Sequence, residues 1–524
     1  MMPEARTSAQ IEGQRWLAAF WLERRAWLLI LAVAVMVRLP GLADKPVWYD
    51  EAFAILLSSK GPAAIERATL SEQGGIAADV HPLGYYLLLW EWGRIFGTSP
   101  LAMRSLSVLI GLGLVAVAYF GAQPILGPRL AAWFGGLVAL SPFQAHYAQE
   151  IRMYGLLALE LTAAAVLFRS AVKQGGWFRW IGFAILAAAA EYTHALAGLL
   201  LLPLALIPVY LRDWKAARSA LLSGVIALLL YGPWLIRLPS QLGRIQQSYW
   251  ITQPGLAEIL RTMVIYLGGS PLPSWGVAVV LFSLVLLIGL GGWAISKVGR
   301  RGSAGANVAA ASAYLAFAPL FLMYLISLWR PVYLDRAMLP AGVAFLLFIA
   351  WLIGGDSIPV RLRWTARVLV GLSFGIGLTS YWTYRGFPYA PYQEILSFVA
   401  DRKDGDEVLL HSNKLTALPT NYYSPALAQE YLADPPGSGS DTLAPATQRE
   451  LGLIAQVDAQ SAIGDGQGVW FLIFPREIEE YAALGEDEHP ALAWLRANFS
   501  EDDILSFGES ELHHFRNRRA GAEG

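Results

Sequence analysis

The sequence predicts a polytopic α-helical membrane protein with a small external α/β domain at its C-terminal end. Three observations lead there. Of the 524 residues, 56% are hydrophobic and only 15% charged, with a mean hydropathy of +0.45; a soluble domain carries about 25% charged residues. Apolar stretches close to the ~20 residues that cross a hydrocarbon core recur as far as residue 384. From Arg385 the composition becomes that of a soluble domain.

The apolar segments are roughly 26–42, 101–121, 130–146, 153–171, 178–194, 195–211, 218–236, 276–297, 309–329, 337–354 and 366–384, about eleven transmembrane helices. The first follows Arg24-Arg25 in the manner of a signal sequence. No small-residue cleavage site follows it, and it reads as an uncleaved span. Twenty Trp and 22 Tyr suit many membrane–water interfaces. With Arg15, Arg24 and Arg25 inside, alternation places Arg129, Lys173 with Arg179, Arg212 with Lys215 and Arg218 inside as well. Lys297, Arg300 and Arg301, then Arg361, Arg363 and Arg367, follow the same side. Each expected inside loop is basic, as orientation by positive charge requires.

That alternation holds only if Leu83 to Phe96 does not cross. Its short length and its Tyr85, Tyr86, Trp90 and Trp92 predict a helix lying in the external interface. Residues 43–100 thereby become one large external loop with short helices, and 237–275 a second long external loop. The membrane module is 1–384 and the external α/β domain 385–524. In the latter, Glu407-Val408-Leu409-Leu410 and Val469 to Phe474 read as buried strands and Leu512 to Arg516 as a last strand. Tyr392 to Ala400 and Ala491 to Phe499 read as helices, and Pro435 to Ser440 as a flexible loop.

The net charge of −1 gives no sign of a nucleic-acid partner, and without cysteine there is no thiolate nucleophile, disulfide or Cys-ligated metal. No internal repeat or nucleotide-binding glycine loop is present. Chemistry concentrates at four external positions: Asp50-Glu51, His81-Pro82, the run Ser141 to Tyr154, and Arg330 to Arg336. Taken alone, Asp50-Glu51 is either a solvated loop start or a site. Glu150 suits the start of a span, where an acid complements the helix dipole by about 0.3–1 kcal/mol. Arg152 opposes that dipole, so it needs an anion, either Glu150 or a ligand phosphate. His146 and His194 lie near external helix ends and are not expected to be ligands.

Trp48-Tyr49-Asp50-Glu51-Ala52, His81-Pro82-Leu83-Gly84-Tyr85-Tyr86 and Tyr147-Ala148-Gln149-Glu150-Ile151-Arg152-Met153-Tyr154 together resemble the bacterial GT-C glycosyltransferases. The branch is the one related to protein O-mannosyltransferases and to the lipid A aminoarabinose transferase. The resemblance covers residues 26–200 well, later spans by pattern and the C-terminal domain hardly at all. Leu83 departs from the second Pro that relatives commonly carry. The resemblance implies a GT-C fold in a bacterial plasma membrane, N-terminus cytoplasmic, with the active site and C-terminal domain external. It further implies an inverting transfer of a sugar from a polyprenyl-phosphate donor to a lipid, protein or glycan acceptor. Asp50 is then the general base, with Glu51 positioning it or binding sugar hydroxyls. A touching acid pair raises one pKa, as suits a base. Arg152, Arg330, Arg336 and Tyr333 become candidates for the donor phosphate, and His81, Glu150 and Tyr154 for substrate. No cofactor is expected; a divalent metal held by Asp50 and Glu150 is the lesser alternative. Two rival readings are a lipid-linked sugar flippase without catalysis and a non-catalytic envelope scaffold.

Overall fold

A computed structural model describes residues 8–70, 72–73, 76–77, 81–236, 251, 253–299, 304–435, 440–464, 466, 468–483, 485 and 488–517. Each of the eleven apolar segments overlaps a helix: Ser8–Arg38, Pro100–Leu126, Pro128–Leu140, Tyr154–Gln174, Trp177–Thr193, Ala197–Tyr210, Trp214–Leu230, Ser274–Gly299, Ala304–Ser327, Leu339–Gly354 and Val360–Thr383. Among the described residues, five helices are long and apolar enough to cross a membrane by length and composition: Pro100–Leu126, Tyr154–Gln174, Ser274–Val298, Gly305–Ser327 and Asp335–Gly354. The chain is a multi-pass membrane protein.

Two expected elements differ. Segment 130–146 is not one helix. It breaks at Ser141, whose hydroxyl caps a new helix, Pro142–Tyr147, with Pro142 in its first turn. The expected long loop 237–275 contains the helix Leu256–Gly268, which packs against Ser274–Gly299 and Val360–Thr383. Residues 237–250 of that loop lie outside the described residues, as do 436–439 of the loop expected at Pro435 to Ser440.

The 43–100 segment forms the helices Tyr49–Ser59, Pro62–Leu70 and Gly84–Phe96, with the two-residue strands β1 (Glu72–Gln73) and β2 (Ile76–Ala77) paired antiparallel between them. Helix Tyr49–Ser59 buries Glu51, Ala52, Phe53, Ala54, Ile55 and Leu57. The turn before Tyr154 is tied down from several sides. Gln149 Nε2 donates to the carbonyls of Arg38 and Pro40 at 2.6 and 2.9 Å, and Ser107 Oγ donates to that of Glu150 at 2.6 Å. Gly111 permits this approach, because a Cβ there would lie 2.7 Å from Ala148 Cβ and 3.1 Å from Arg38 Nε.

The C-terminal domain is built on one sheet of the strands β3 (Val408–His411), β4 (Gln429–Leu432), β5 (Ala455–Gln456), β6 (Gly468–Ile473), β7 (Phe499–Phe507) and β8 (Ser510–Asn517). Their order across the sheet is β5-β4-β3-β6-β8-β7. β3 pairs parallel with β4 and β6, β4 parallel with β5, and β8 antiparallel with β6 and β7. β6 is buried at every position, as a strand covered on both faces must be. Its side chains alternate between two apolar layers: Val469, Phe471 and Ile473 join Leu492 and Leu495, while Trp470 and Leu472 join Ile395 and Val399. β7 escapes a hydrophobic reading because Glu501, Asp502 and Asp503 interrupt it; it is a polar edge strand, a composition that discourages pairing with other chains. Helix Lys414–Tyr423, another element without a sequence signal, packs against Tyr49–Ser59. The Tyr423 hydroxyl accepts from Val47 N–H at 2.9 Å, and Tyr422 donates to the Thr98 carbonyl at 3.0 Å.

Candidate active site

A cavity of about 580 Å³ lies where the 43–100 segment, the membrane helices and the C-terminal domain meet. That size suits a small ligand. Tyr49, Asp50 and Phe53 enter it from the first turns of helix Tyr49–Ser59. His81, Arg152, Arg261, Leu334 and Arg336 line it with them, and the C-terminal domain closes the rest.

Asp50 sits between two guanidinium groups. Its Oδ2 lies 3.3 Å from Arg336 Nη1 and 3.7 Å from Arg152 Nη2. Arg152 Nη2 is 3.4 Å from His81 Nε2. Burial pushes the Asp50 carboxyl up, but Arg152 and Arg336, with His81 and Lys414, outweigh it and hold the group below its ordinary value. Arg152 is buried, and the Asp50 carboxylate keeps it charged against the desolvation cost. Its Nε has no hydrogen-bond partner among the described residues. The Tyr154 ring lies beside both cations, 5.8 Å from the Arg152 guanidinium and 5.5 Å from that of Arg336.

Glu51 points elsewhere. It is 1% exposed and makes a bidentate pair with Arg104, with Nε–Oε1 at 2.9 Å and Nη2–Oε2 at 2.6 Å. Its Oε1 also accepts the Ile151 N–H at 3.1 Å. The two neighbouring acids therefore do not touch in one site, and in place of the expected rise of one pKa the Asp50 carboxyl is held down. Consecutive residues at a helix start project about 100° apart, which sends one to the cavity and the other inward.

Other expected residues also stand apart from the cavity. Glu150 pairs with His146 at 2.8 Å and lines a smaller recess with Lys45, Arg104 and Tyr381, so it does not orient Arg152. The Tyr333 hydroxyl shares a 2.7 Å hydrogen bond with Thr262 and donates to the Glu258 carbonyl at 3.0 Å, fixing the Leu256–Gly268 helix. The Arg330 guanidinium lies over the Trp329 ring at 4.7 Å, and Arg330 is not a cavity residue. Among the described residues, no three of His, Asp and Glu come together as a metal-ligand set, and Asp50 and Glu150 line separate spaces. The donor set does not fit a metal shared by those two acids.

Arg104, Lys414 and Glu477 carry parts of this arrangement that the sequence reading left out. Arg104 had a signal, a cation in the first turns of an apolar span, which calls for a buried partner. Lys414 and Glu477 had none; folding alone carries the C-terminal domain to the cavity.

The comparisons with known proteins agree with the motif resemblance. The family model described as dolichyl-phosphate-mannose-protein mannosyltransferase matches residues 80–236. A search of curated proteins finds no significant match. Among solved structures, the Archaeoglobus fulgidus oligosaccharyltransferase tethered to an acceptor peptide is similar at a TM-score of 0.51 and 11% identity, covering 97% of this chain and 75% of that one. ArnT from Cupriavidus metallidurans bound to undecaprenyl phosphate is similar at a TM-score of 0.48 and 15% identity, covering 93% of this chain and 97% of that one. The fold is that of the GT-C membrane glycosyltransferases, with a small C-terminal sheet domain.

Proposed function

We propose that this protein transfers a sugar from a polyprenyl-phosphate donor to an acceptor hydroxyl on the external face of a bacterial plasma membrane. The observation that carries the reading is the placement of Asp50 between Arg152 and Arg336 in a cavity at the mouth of the helical module. A polyprenyl chain dissolves in lipid and leaves its phosphate at headgroup depth, where external helix ends lie. Two guanidinium groups offer the forked donors that phosphate oxygens accept. The match of the mannosyltransferase family model to 80–236, which includes His81 and Arg152, supports the same reading.

The reaction follows from the residues. The acceptor oxygen attacks the sugar C1 while Asp50 takes its proton. The C1–O bond to phosphate breaks, its electron pair leaving on the polyprenyl phosphate, whose growing charge Arg152 and Arg336 stabilise. One displacement inverts the anomeric centre. A base with a lowered pKa is a weak one, and the donor itself supplies the remedy. When the phosphate takes the two arginines, Asp50 loses the charges that hold its pKa down and becomes more basic in the donor complex. The expected requirement for no metal stays part of this proposal.

The test incubates membranes bearing the full chain with labelled polyprenyl-phosphate sugars and follows label into acceptors and release of polyprenyl phosphate. Asp50→Asn is the control. Transfer by that variant at the wild-type rate sinks the mechanism; movement of label across the membrane without release of polyprenyl phosphate sinks the transferase reading.

A further inference from the structure

The C-terminal sheet has a topological switch point. From β3 the chain passes to β4 and β5 on one side, then returns to place β6 on the other side of β3. In open α/β sheets, the crevice outside the carboxyl ends of the strands flanking such a reversal is where ligands sit. Here that crevice opens into the Asp50 cavity. Ser412, Asn413 and Lys414 leave the end of β3, Asp434 follows β4, and Arg476 and Glu477 follow β6; all six line the cavity.

The polar groups at this end are arranged for a ligand. Lys414 is neutralised by Asp441 at 2.6 Å, and Arg476 pairs with Glu480 at 2.9 Å. Asp434 and Glu477 have no ion pair of their own among the described residues. Glu477 is 6% and Ser412 4% exposed; Ser412 stands beside Glu477, but Glu477 Oε1, Ser412 Oγ and Asp434 Oδ2 make no hydrogen bond of normal geometry among the described residues. Buried oxygens left without a full hydrogen bond are costly, and a ligand offering hydroxyl groups removes that cost. With Lys414 and Arg476 both paired to acids, this end offers a phosphate no spare cation, in contrast to the arginine-lined membrane side. Tyr481 adds an aromatic ring to the lining. We propose that the switch point of the C-terminal sheet is a sugar-binding subsite, in which Ser412, Asp434 and Glu477 hold the hydroxyl groups of a glycosyl unit. The inference deepens the transferase reading and rests on it for the identity of the ligand. Donor sugar and acceptor glycan share this chemistry, and kinetics separates them.

The experiment uses the full chain in nanodiscs and saturation-transfer NMR with methyl hexopyranosides, neutral and amino-substituted, in the absence of any donor. Wild type and Asp50→Asn should both bind saturably. Glu477→Gln and Ser412→Ala should each weaken binding about tenfold without lowering the melting temperature. Asp434→Asn should weaken it likewise and serves if a buried variant loses stability. Absence of binding to the wild type, unchanged affinity in all three variants, or displacement of the glycoside by inorganic phosphate overturns the subsite. Transfer assays on the same samples locate the unit: a rise in acceptor KM alone assigns it to the acceptor, a rise in donor KM alone to the donor sugar. A wild type that binds glycosides but never turns over a polyprenyl-phosphate sugar refutes the transferase reading and leaves the subsite standing.

Discussion

Glu51 accepts the backbone N–H of Ile151 at 3.1 Å while its carboxylate is gripped by Arg104. A hundred residues of sequence separate the pair, and the contact fixes the turn that presents Arg152 to Asp50. Neighbouring acids thus perform unlike tasks, one chemical in proposal and one architectural in fact.

Loss of either partner of the Glu51–Arg104 pair leaves a charge buried alone, which costs about 3–5 kcal/mol. Glu51→Gln and Arg104→Met should each lower the melting temperature of the purified protein markedly. The double variant should lose less than the sum of the two. Additive losses would mean the pair is not coupled.

Asp50→Asn should reduce transfer by about 10²–10⁴-fold, the usual worth of a positioned base. It also frees Arg152 and Arg336 from their internal anion. Undecaprenyl phosphate should therefore bind at least as tightly to this variant as to the wild type, as titration calorimetry in nanodiscs would show. Weaker binding would place Asp50 among the groups that attract the lipid.

Arg152→Lys and Arg336→Lys keep the charge but lose the forked donor geometry. Each should weaken undecaprenyl phosphate binding about tenfold or more, whereas Arg330→Lys, outside the cavity, should leave it unchanged. Equal effects at all three positions would point to general electrostatics rather than a defined phosphate site.

Burial pushes the Glu477 carboxyl up to about 8, opposed only in part by nearby Ser412 and Asn413. A folded pKa raised above the unfolded value of about 4.3 stabilises fully below that value and is lost as pH rises through the folded one. Thermal stability of the wild type should therefore fall relative to Glu477→Gln between about pH 5 and pH 8. A constant difference across that window would contradict the shift. Asp50 shifts the other way, so its contribution weakens only at acid pH, as pH falls from the ordinary carboxylate range through its lowered pKa.

Orientation is open to a direct measurement. Thr98, exposed at the end of the Gly84–Phe96 helix, should when replaced in Thr98→Cys react with an impermeant thiol reagent added outside intact cells. Reaction only after the interior is opened would invert the proposed topology.

Helix positions in the membrane module were readable from the sequence because a hydrocarbon core imposes length and apolarity locally, residue by residue. The motif run around Asp50, His81 and Arg152 was readable for a similar reason, since charge beside aromatic residues at helix ends is conspicuous in an apolar chain. The break at Ser141–Pro142 had its cap and its proline in plain view, but the apolar run hid it. Convergence was another matter. Which of Asp50 and Glu51 faces the cavity depends on helix phase and on Arg104 waiting inside. Whether Glu150 meets Arg152 or His146 depends on a turn pinned by Ser107 and Gln149. The polar wall formed by Ser412, Asp434 and Glu477 arises from strand order and docking, neither of which leaves a local trace. Sequence determined the helices and the kinds of chemistry available; only packing decided which charged groups share one space, because charges pair with whatever the fold carries within a few ångströms.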